Sequence, residues 1–334
     1  MLITSSQIEA NLRRTAEKGY ISLLDHYGLE KLAIKYFGIY EEDELIGYQC
    51  PYSGELITDY RNLVLEHIIP VSSKGGTVLF NCIPTSVEVN KVSEKGAKHL
   101  IDWWTNSKYW NETAPQRLEK LVNYILEGYN NVFEEYTIEE VENSYLEIDI
   151  DYEMEEEADL NYTSRNESKL LEKQSQENKI HSYLGFLLDC INTLDTYNID
   201  TTNIKNNLKQ LEEKEIFKDI ERYQTFQNII QSLIKSKIGD DTQSHLTYLL
   251  RFNTKKLMNS IPSNNINEII AEINTRLNNL ENLLSENNLS IIEYFKSLGD
   301  IEDIDIIYKN INSILLITVF ARSPLYKYYL YCVI

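Results

Sequence analysis

A short apolar run that ends in an acid and an imidazole limits what the middle of this chain can fold into. Residues 63–70 read LVLEHIIP. Branched apolar residues favour a strand, and proline stops it because proline cannot donate a ladder hydrogen bond. Lys74–Gly76 then supply a flexible loop, since glycine adopts positive φ without steric penalty. The stretch predicts a strand that carries Glu66 and His67 near its end.

A second strand and a helix are predicted directly after this loop. Cys82–Pro84 indicate a short strand at a sheet edge, because its proline has no backbone donor. Ser86 is a good helix N-cap, with Glu88 in the first turn. Apolar residues at helical steps extend this predicted helix, which carries Asn90, as far as Trp104.

This order of elements would bring three polar side chains towards one small pocket: Glu66, His67 and Asn90. A carboxylate and an amide oxygen are hard ligands that suit magnesium or manganese better than zinc. An imidazole, with an ordinary pKa near ~6.5, can take a proton from water at cellular pH. One metal ion and one general base suffice to hydrolyse a phosphodiester.

Taken together, these residues resemble an HNH endonuclease domain of the ββα-metal type. The resemblance is to the form without a zinc knuckle, found in RNA-guided CRISPR nucleases and in some anti-phage defence nucleases. It rests on the run CPYSGE at Cys50–Glu55, on Glu66–Pro70, and on Asn81 and Asn90. It extends from Tyr48 to about Thr105, and nothing outside that stretch resembles a known family.

The resemblance implies a role for each matched residue. His67 would be the general base that activates water. Glu66 would bind the metal, although the family more often has aspartate or histidine there, and Asn90 would be a second ligand to Mg²⁺ or Mn²⁺. Asn81 would brace the loop that orients the histidine.

Two lysines are candidates for a further role at the expected site, and the resemblance also implies a reaction. Lys91 or Lys95 could assist at the phosphate. The implied reaction is hydrolysis of a DNA phosphodiester that leaves a 5′-phosphate. A single site of this kind cuts one strand.

The distribution of charge bears on how such a site would meet DNA. The net charge is −20, which is unusual for a protein that binds nucleic acid. Residues 45–110 hold six acids and six bases, so this stretch is neutral. Strong unaided binding of DNA is therefore not expected, and a partner would supply affinity.

Residues 134–159 hold 13 acids and no base. A solvated linker is the simpler interpretation. The alternative is that this acidic segment mimics a phosphate backbone, covering the site or docking on a basic partner.

The remaining chain predicts helices. Apolar spacing indicates helices over residues 5–40, with breaks at Gly19 and Gly28, and another helix from Arg117 to Tyr129. The predicted fold is mainly α, with a small α+β ββα-metal module and a helical carboxy-terminal domain. The predicted divisions are amino-terminal helices, the nuclease module with its following helices, the acidic linker, and a helical assembly or partner-binding domain: 1–44, 45–132, 133–167 and 168–334.

Compartment and partners follow from weaker signals. No signal peptide is visible, the longest apolar run is far short of the ~20 residues of a membrane span, and the four cysteines form no CxxC pair. A cytoplasmic protein without a membrane contact is expected. By analogy with bacterial anti-phage systems, we expect a nuclease subunit in a homo-oligomer or hetero-complex, with a protein partner such as an ATPase.

Two alternatives stay open from the sequence. The first is a binding or scaffolding protein whose HNH fold is catalytically inactive and whose helical domain is the working part. The second is a nuclease that cleaves RNA instead of DNA, since the chemistry accommodates both.

Overall fold

The computed structural model of the protein describes residues 2–91, 93–137, 140–141 and 183–238, together with scattered positions between residues 254 and 275. In these residues the protein is mainly α-helical with a small α+β part, as the sequence predicts. Most of the predicted acidic segment and most of the predicted helices after residue 238 lie outside the described residues. No helix in the described part is long and apolar enough to cross a bilayer.

The regular elements are numbered in chain order. The helices are α1 (Ser5–Glu17), α2 (His26–Phe37), α3 (Leu100–Thr105), α4 (Ala114–Asn131), α5 (Tyr183–Thr196), α6 (Thr202–Glu213) and α7 (Ile216–Ile238). The strands are β1 (Ser22–Leu23), β2 (Gly38–Glu41), β3 (Glu44–Gln49), β4 (Leu56–Ile57), β5 (Leu63–His67), β6 (Thr77–Val78) and β7 (Cys82–Ser86).

The chain divides into two compact units, each built from separate stretches. The first contains Met1–Ile8 and Leu24–Lys214, and the second contains Glu9–Leu23 and Glu215–Ile334. Residues 45–132, which carry the predicted nuclease module, all belong to the first unit. The predicted division at residues 133–167 stays a prediction, because most of that stretch lies outside the described residues.

The second unit is held by glutamine side chains of α7. The amide of Gln227 accepts from the backbone N–H of Ser22 at 2.8 Å and donates to the carbonyl of Tyr20 at 2.8 Å. Gln224 donates to the carbonyl of Gly19 at 2.6 Å. Gln227 is fully buried, so these bonds satisfy polar groups that would otherwise be costly to remove from water.

In the first unit, β2, β3 and β4 form a three-stranded antiparallel sheet in that order. Glu42 and Asp43 form the two-residue turn between β2 and β3, and both have positive φ, at 50° and 68°. Two-residue hairpins favour that backbone because its twist matches the twist of the strands. The sequence does not predict this hairpin, because an acidic pair lacks the usual Asn-Gly or Asp-Gly signature.

Strands β5 and β7 form a separate antiparallel pair, and both strands are predicted from the sequence. Glu66 lies opposite Ile83, and His67 lies opposite Cys82. All five residues of β7 are buried. The Pro84 residue lies within β7 opposite Leu65, in a two-stranded sheet where each strand is an edge.

The predicted helix from Ser86 to Trp104 is wrong. Residues 87–90 form turns, as do 93–97, and the helix begins only at Leu100. The hydroxyl of Ser86 does accept from the backbone N–H of Val89 at 3.4 Å, so one capped turn exists. The chain then leaves helical geometry, and Gly96 takes a φ of 48°, which interrupts any right-handed helix.

The predicted break at Gly28 is also wrong, whereas Gly19 lies between helices with a φ of 73°. Gly28 lies in the first turn of α2, where its N–H donates to the Asp25 side chain at 2.5 Å. Asp25 is therefore the N-cap that starts the helix. A side chain at position 28 would also meet Asp25 and Tyr136, which accounts for a glycine inside this helix.

Helix α4 is predicted from the sequence and forms the centre of the first unit. Its apolar residues Leu118, Leu121 and Ile125 are all buried. The hydroxyl of Tyr124 donates to the Cys82 carbonyl at 2.5 Å, which joins the helix to β7. Gly128 permits this close packing, because a Cβ there would lie 2.9 Å from the Phe80 Cα.

Arg117 of α4 organises the turn at residues 50–55. Its guanidinium donates to the carbonyls of Pro51 at 3.2 Å, Tyr52 at 3.0 Å and Tyr109 at 3.0 Å. The residue is 4% exposed, and burial lowers the pKa of its guanidinium. Three carbonyls from two loops are thus satisfied by one cation, which fixes the CPYSGE turn against the helix.

We expect Arg117→Leu to lower the free energy of unfolding by about 3 kcal/mol, because three buried carbonyls lose their donor. Chemical denaturation followed by circular dichroism measures this change. The matched control is Arg61→Leu, since Arg61 is exposed and its ion pair with Asp59 lies at the surface, and this change should leave stability nearly unaltered. Equal stability of both variants would contradict the role given to Arg117.

Candidate functional site

The end of β5 places Glu66 and His67 next to one another, inside the first unit. Each is only 5% exposed. Successive strand residues point to opposite faces, so the two side chains leave the strand on different sides. Leu63 and Leu65 of the same strand are also buried, so Glu66 and His67 lie in the interior with the rest of β5.

The imidazole of His67 is fixed by a hydroxyl. Its Nε2 lies 2.9 Å from the Oγ1 of Thr77, which is fully buried. Thr77 follows the Gly-Gly loop and lies in β6, where the sequence offers no sign of such a role. A hydrogen bond at one ring nitrogen sets the ring orientation, which a general base requires.

Asn81 braces the loop between β5 and β7. Its Oδ1 accepts from the N–H of Ile69 at 2.8 Å, and its Nδ2 donates to the carbonyls of Ile69 at 3.1 Å and Gly76 at 2.8 Å. The side chain is 1% exposed, so its amide satisfies three backbone groups that have no access to water. The resemblance implies that such an asparagine braces the loop that orients the histidine, and this role of Asn81 towards His67 stays a prediction.

The same loop is held from outside by a tyrosine of α5. The hydroxyl of Tyr183 accepts from the N–H of Gly76 at 2.7 Å, and its ring packs edge-on against Phe80. Burial raises the pKa of Tyr183, so the hydroxyl stays neutral. Nothing in the sequence pattern connects residue 183 to the loop, because the two are far apart along the chain.

Glu66 forms an ion pair with Lys95, and both side chains are buried. The ammonium of Lys95 donates to the Glu66 Oε1 and to the carbonyl of His67, the latter at 2.9 Å. The Lys95 side chain has no exposed surface, and that of Glu66 is 6% exposed. Lys95 therefore balances the carboxylate charge and ties residues 93–98 to the end of β5. The sequence-based prediction is that Lys91 or Lys95 could assist at a phosphate.

The other two predicted residues lie further out. Asn90 is partly exposed in the turn after β7, and its backbone N–H donates to the Ser86 carbonyl at 3.2 Å. Lys91 is exposed and pairs with Glu88 at 2.5 Å. The structure therefore brings the Lys95 ammonium to the Glu66 carboxylate and to the backbone carbonyl of His67. It does not bring Asn90 or Lys91 to that carboxylate in any contact of the described residues.

Tyr52 adds a polar group that sequence reasoning missed. Its hydroxyl is buried without a hydrogen-bond partner in the described part of the chain. Burial raises the pKa of Tyr52 well above its usual value, and the Glu66 charge raises it further. The phenol is therefore neutral and supplies no charge to the site.

As arranged, these residues do not fit a metal held by Glu66 and Asn90. A divalent cation on the Glu66 carboxylate would lie beside the Lys95 ammonium, and like charges repel strongly at short range away from water. The part of the chain that the structure describes also contains no group of three or more His, Cys, Asp or Glu side chains that could hold a metal ion.

The comparisons with known proteins do not extend the resemblance. No model of a protein family, no curated protein and no solved structure matches the chain. The case for a function therefore rests on the residues of the site.

We expect Asn81→Ala to lower the free energy of unfolding by about 3 kcal/mol, because the buried N–H of Ile69 and the carbonyl of Gly76 lose their partners. Thermal and urea unfolding measure the loss. Asn106→Ala is the control, because Asn106 is exposed and its amide bonds Asp102 and Thr105 of its own helix end. A loss for Asn106 as large as the loss for Asn81 would contradict the bracing role.

Proposed function

We propose that this protein is an HNH-type endonuclease that hydrolyses DNA phosphodiester bonds and leaves a 5′-phosphate. One observation carries the proposal: Glu66 and His67 lie together at the end of β5, under a loop that Asn81 braces by three hydrogen bonds. An imidazole that is held in one orientation on a rigid strand is an arrangement that general-base catalysis uses.

In the proposed reaction, His67 takes a proton from a water molecule, and the water oxygen attacks the phosphorus. The bond between phosphorus and the 3′-oxygen breaks, and that oxygen takes a proton from solvent. The Nε2 of His67 contacts the Thr77 hydroxyl. Which ring nitrogen takes the proton therefore depends on which of these two atoms donates in the contact.

We further propose that the protein acts as the nuclease subunit of an anti-phage defence assembly, with a protein partner such as an ATPase. The charge of the chain supports the proposal that a partner is needed. The net charge is −20, and Lys95, one of the bases of the neutral stretch, is buried against Glu66. Few cations of this stretch are then available for phosphates, so affinity for DNA would come from another subunit.

A second candidate function is a binding or scaffolding protein with a catalytically inactive HNH fold. The observation that favours it is the burial of both Glu66 and His67, each 5% exposed. A fully paired buried carboxylate also has a purely structural use, since it holds residues 93–98 on the strand.

We expect His67→Ala to reduce cleavage by at least about 100-fold, because general-base catalysis contributes on that scale. The assay follows nicking of plasmid DNA, and of RNA in parallel, with Mg²⁺, with Mn²⁺ and with a chelator, for the full chain with and without its co-purifying partner. End-labelling tests for the 5′-phosphate.

The matched control for this prediction is His26→Ala, which removes a histidine outside the site. Circular dichroism must show that both variants keep the fold, and His67→Gln replaces His67→Ala if the alanine variant does not. Cleavage that is the same with and without His67 would rule out the enzyme and leave the scaffolding function.

A further inference from the structure

We propose that Lys74 holds a phosphate of the nucleic-acid substrate beside His67. The inference rests on the proposed nuclease function, because that function supplies the ligand, a phosphodiester of DNA or RNA. It deepens that function by naming a substrate contact, for which the sequence-based prediction names Lys91 or Lys95 instead.

The first observation is which cations of residues 45–110 are available to a phosphate. Within the described part of the chain, Lys74 is exposed and its ammonium forms no ion pair or hydrogen bond. Its three N–H donors can therefore meet phosphate oxygens without first breaking a contact inside the protein. The other five basic residues of this stretch are engaged: Arg61 by Asp59, Lys91 by Glu88, Lys95 by Glu66, Lys108 by Glu94, and Lys98 by two backbone carbonyls.

The second observation is where Lys74 lies along the chain. The loop between β5 and β6 begins after His67 and ends before Thr77, and the Nε2 of His67 lies 2.9 Å from the Thr77 hydroxyl. Because this contact joins the two ends of the loop, the loop that carries Lys74 starts and finishes at the imidazole. A phosphate on Lys74 is thereby held on the loop next to the proposed general base.

The third observation is that the backbone of this loop is fixed on both sides of its glycines. The N–H of Gly75 donates to the Pro70 carbonyl at 3.0 Å. The carbonyl of Gly76 accepts from Asn81 at 2.8 Å, and its N–H donates to Tyr183 at 2.7 Å. A rigid loop positions a bound phosphate more precisely than a mobile one, which is what an in-line attack on phosphorus requires.

The backbone at Lys74 is itself strained. Its φ is 66° and its ψ is 19°, a left-handed conformation that glycine adopts freely and a lysine adopts only at a steric cost. Strain of this kind persists where the surrounding structure imposes it, and it is concentrated at ligand-binding sites. It also provides a test, because glycine at this position removes the cation and suits the backbone.

The experiment measures binding of fluorescent duplex DNA and RNA oligonucleotides by anisotropy, for the full chain with its co-purifying partner, with a chelator and at several salt concentrations. We expect Lys74→Gly to bind both oligonucleotides about tenfold more weakly, because a hydrogen bond to a charged group contributes on that scale. The slope of log affinity against log salt concentration should also become smaller by about one, the value for one lost phosphate contact.

Two variants serve as controls. Lys74→Arg keeps a cation and should keep both the affinity and the salt slope. Lys120→Met removes an exposed lysine of α4 and should leave both unchanged.

Thermal unfolding separates the loss of a contact from the loss of the fold. Lys74→Gly should unfold at the same temperature as the unaltered protein or at a higher one, since glycine relieves the backbone strain. Lys74→Asn replaces it if the glycine variant is less stable, because asparagine also tolerates the left-handed conformation.

An unchanged salt slope in Lys74→Gly would overturn the proposal, as would equal affinity of the variant and the unaltered protein, including binding by neither. None of these measurements depends on cleavage. If Lys74→Gly loses the contact but no cleavage depends on His67, the loop binds nucleic acid without the proposed reaction. If His67-dependent cleavage is intact and Lys74→Gly binds normally, the nuclease function stands and Lys74 does not hold the phosphate.

Discussion

The buried ion pair between Glu66 and Lys95 is the interaction on which the arrangement of this site depends. The Glu66 side chain is only 6% exposed, and an unpaired charge so deeply buried would cost several kcal/mol. Lys95 removes that cost, and it also bonds the carbonyl of His67. One side chain therefore fixes both polar residues of β5 and the course of the chain beyond β7.

The path of the chain beyond β7 is where the sequence-based prediction, a helix from Ser86, was wrong. Ser86, Glu88 and the apolar residues after them have helical spacing, and local propensity predicts a helix. The chain instead makes turns that bring Lys95 inward, and Gly96 takes the positive φ that such a path needs. A tertiary ion pair between residues 29 positions apart outweighs a weak local preference, and no periodicity records it.

What could be predicted had strong local signals. The two strands β5 and β7 follow from apolar runs bounded by proline and glycine, and α4 follows from a regular apolar stripe. The bracing by Asn81 follows only from the resemblance. The hairpin of β2 and β3, the Thr77 contact and the Tyr183 contact had no local signature. The hairpin has an acidic pair at positive φ in its turn, where Asn-Gly or Asp-Gly would be expected. The Thr77 and Tyr183 contacts each join residues that are separated along the chain, so only the folded structure shows them.

The same ion pair also alters the balance of charge at the surface. The predicted helix from Ser86 to Trp104 would align Lys91, Lys95 and Lys98 on one face, but the chain makes turns there instead. In the structure Lys95 is buried, Lys91 pairs with Glu88, and Lys98 bonds the carbonyls of Ser93 and Glu94. An interaction that neutralises the site internally thereby removes a cation from the surface. For a chain of net charge −20, any nucleic acid that reaches His67 must be held by charges that this segment does not provide.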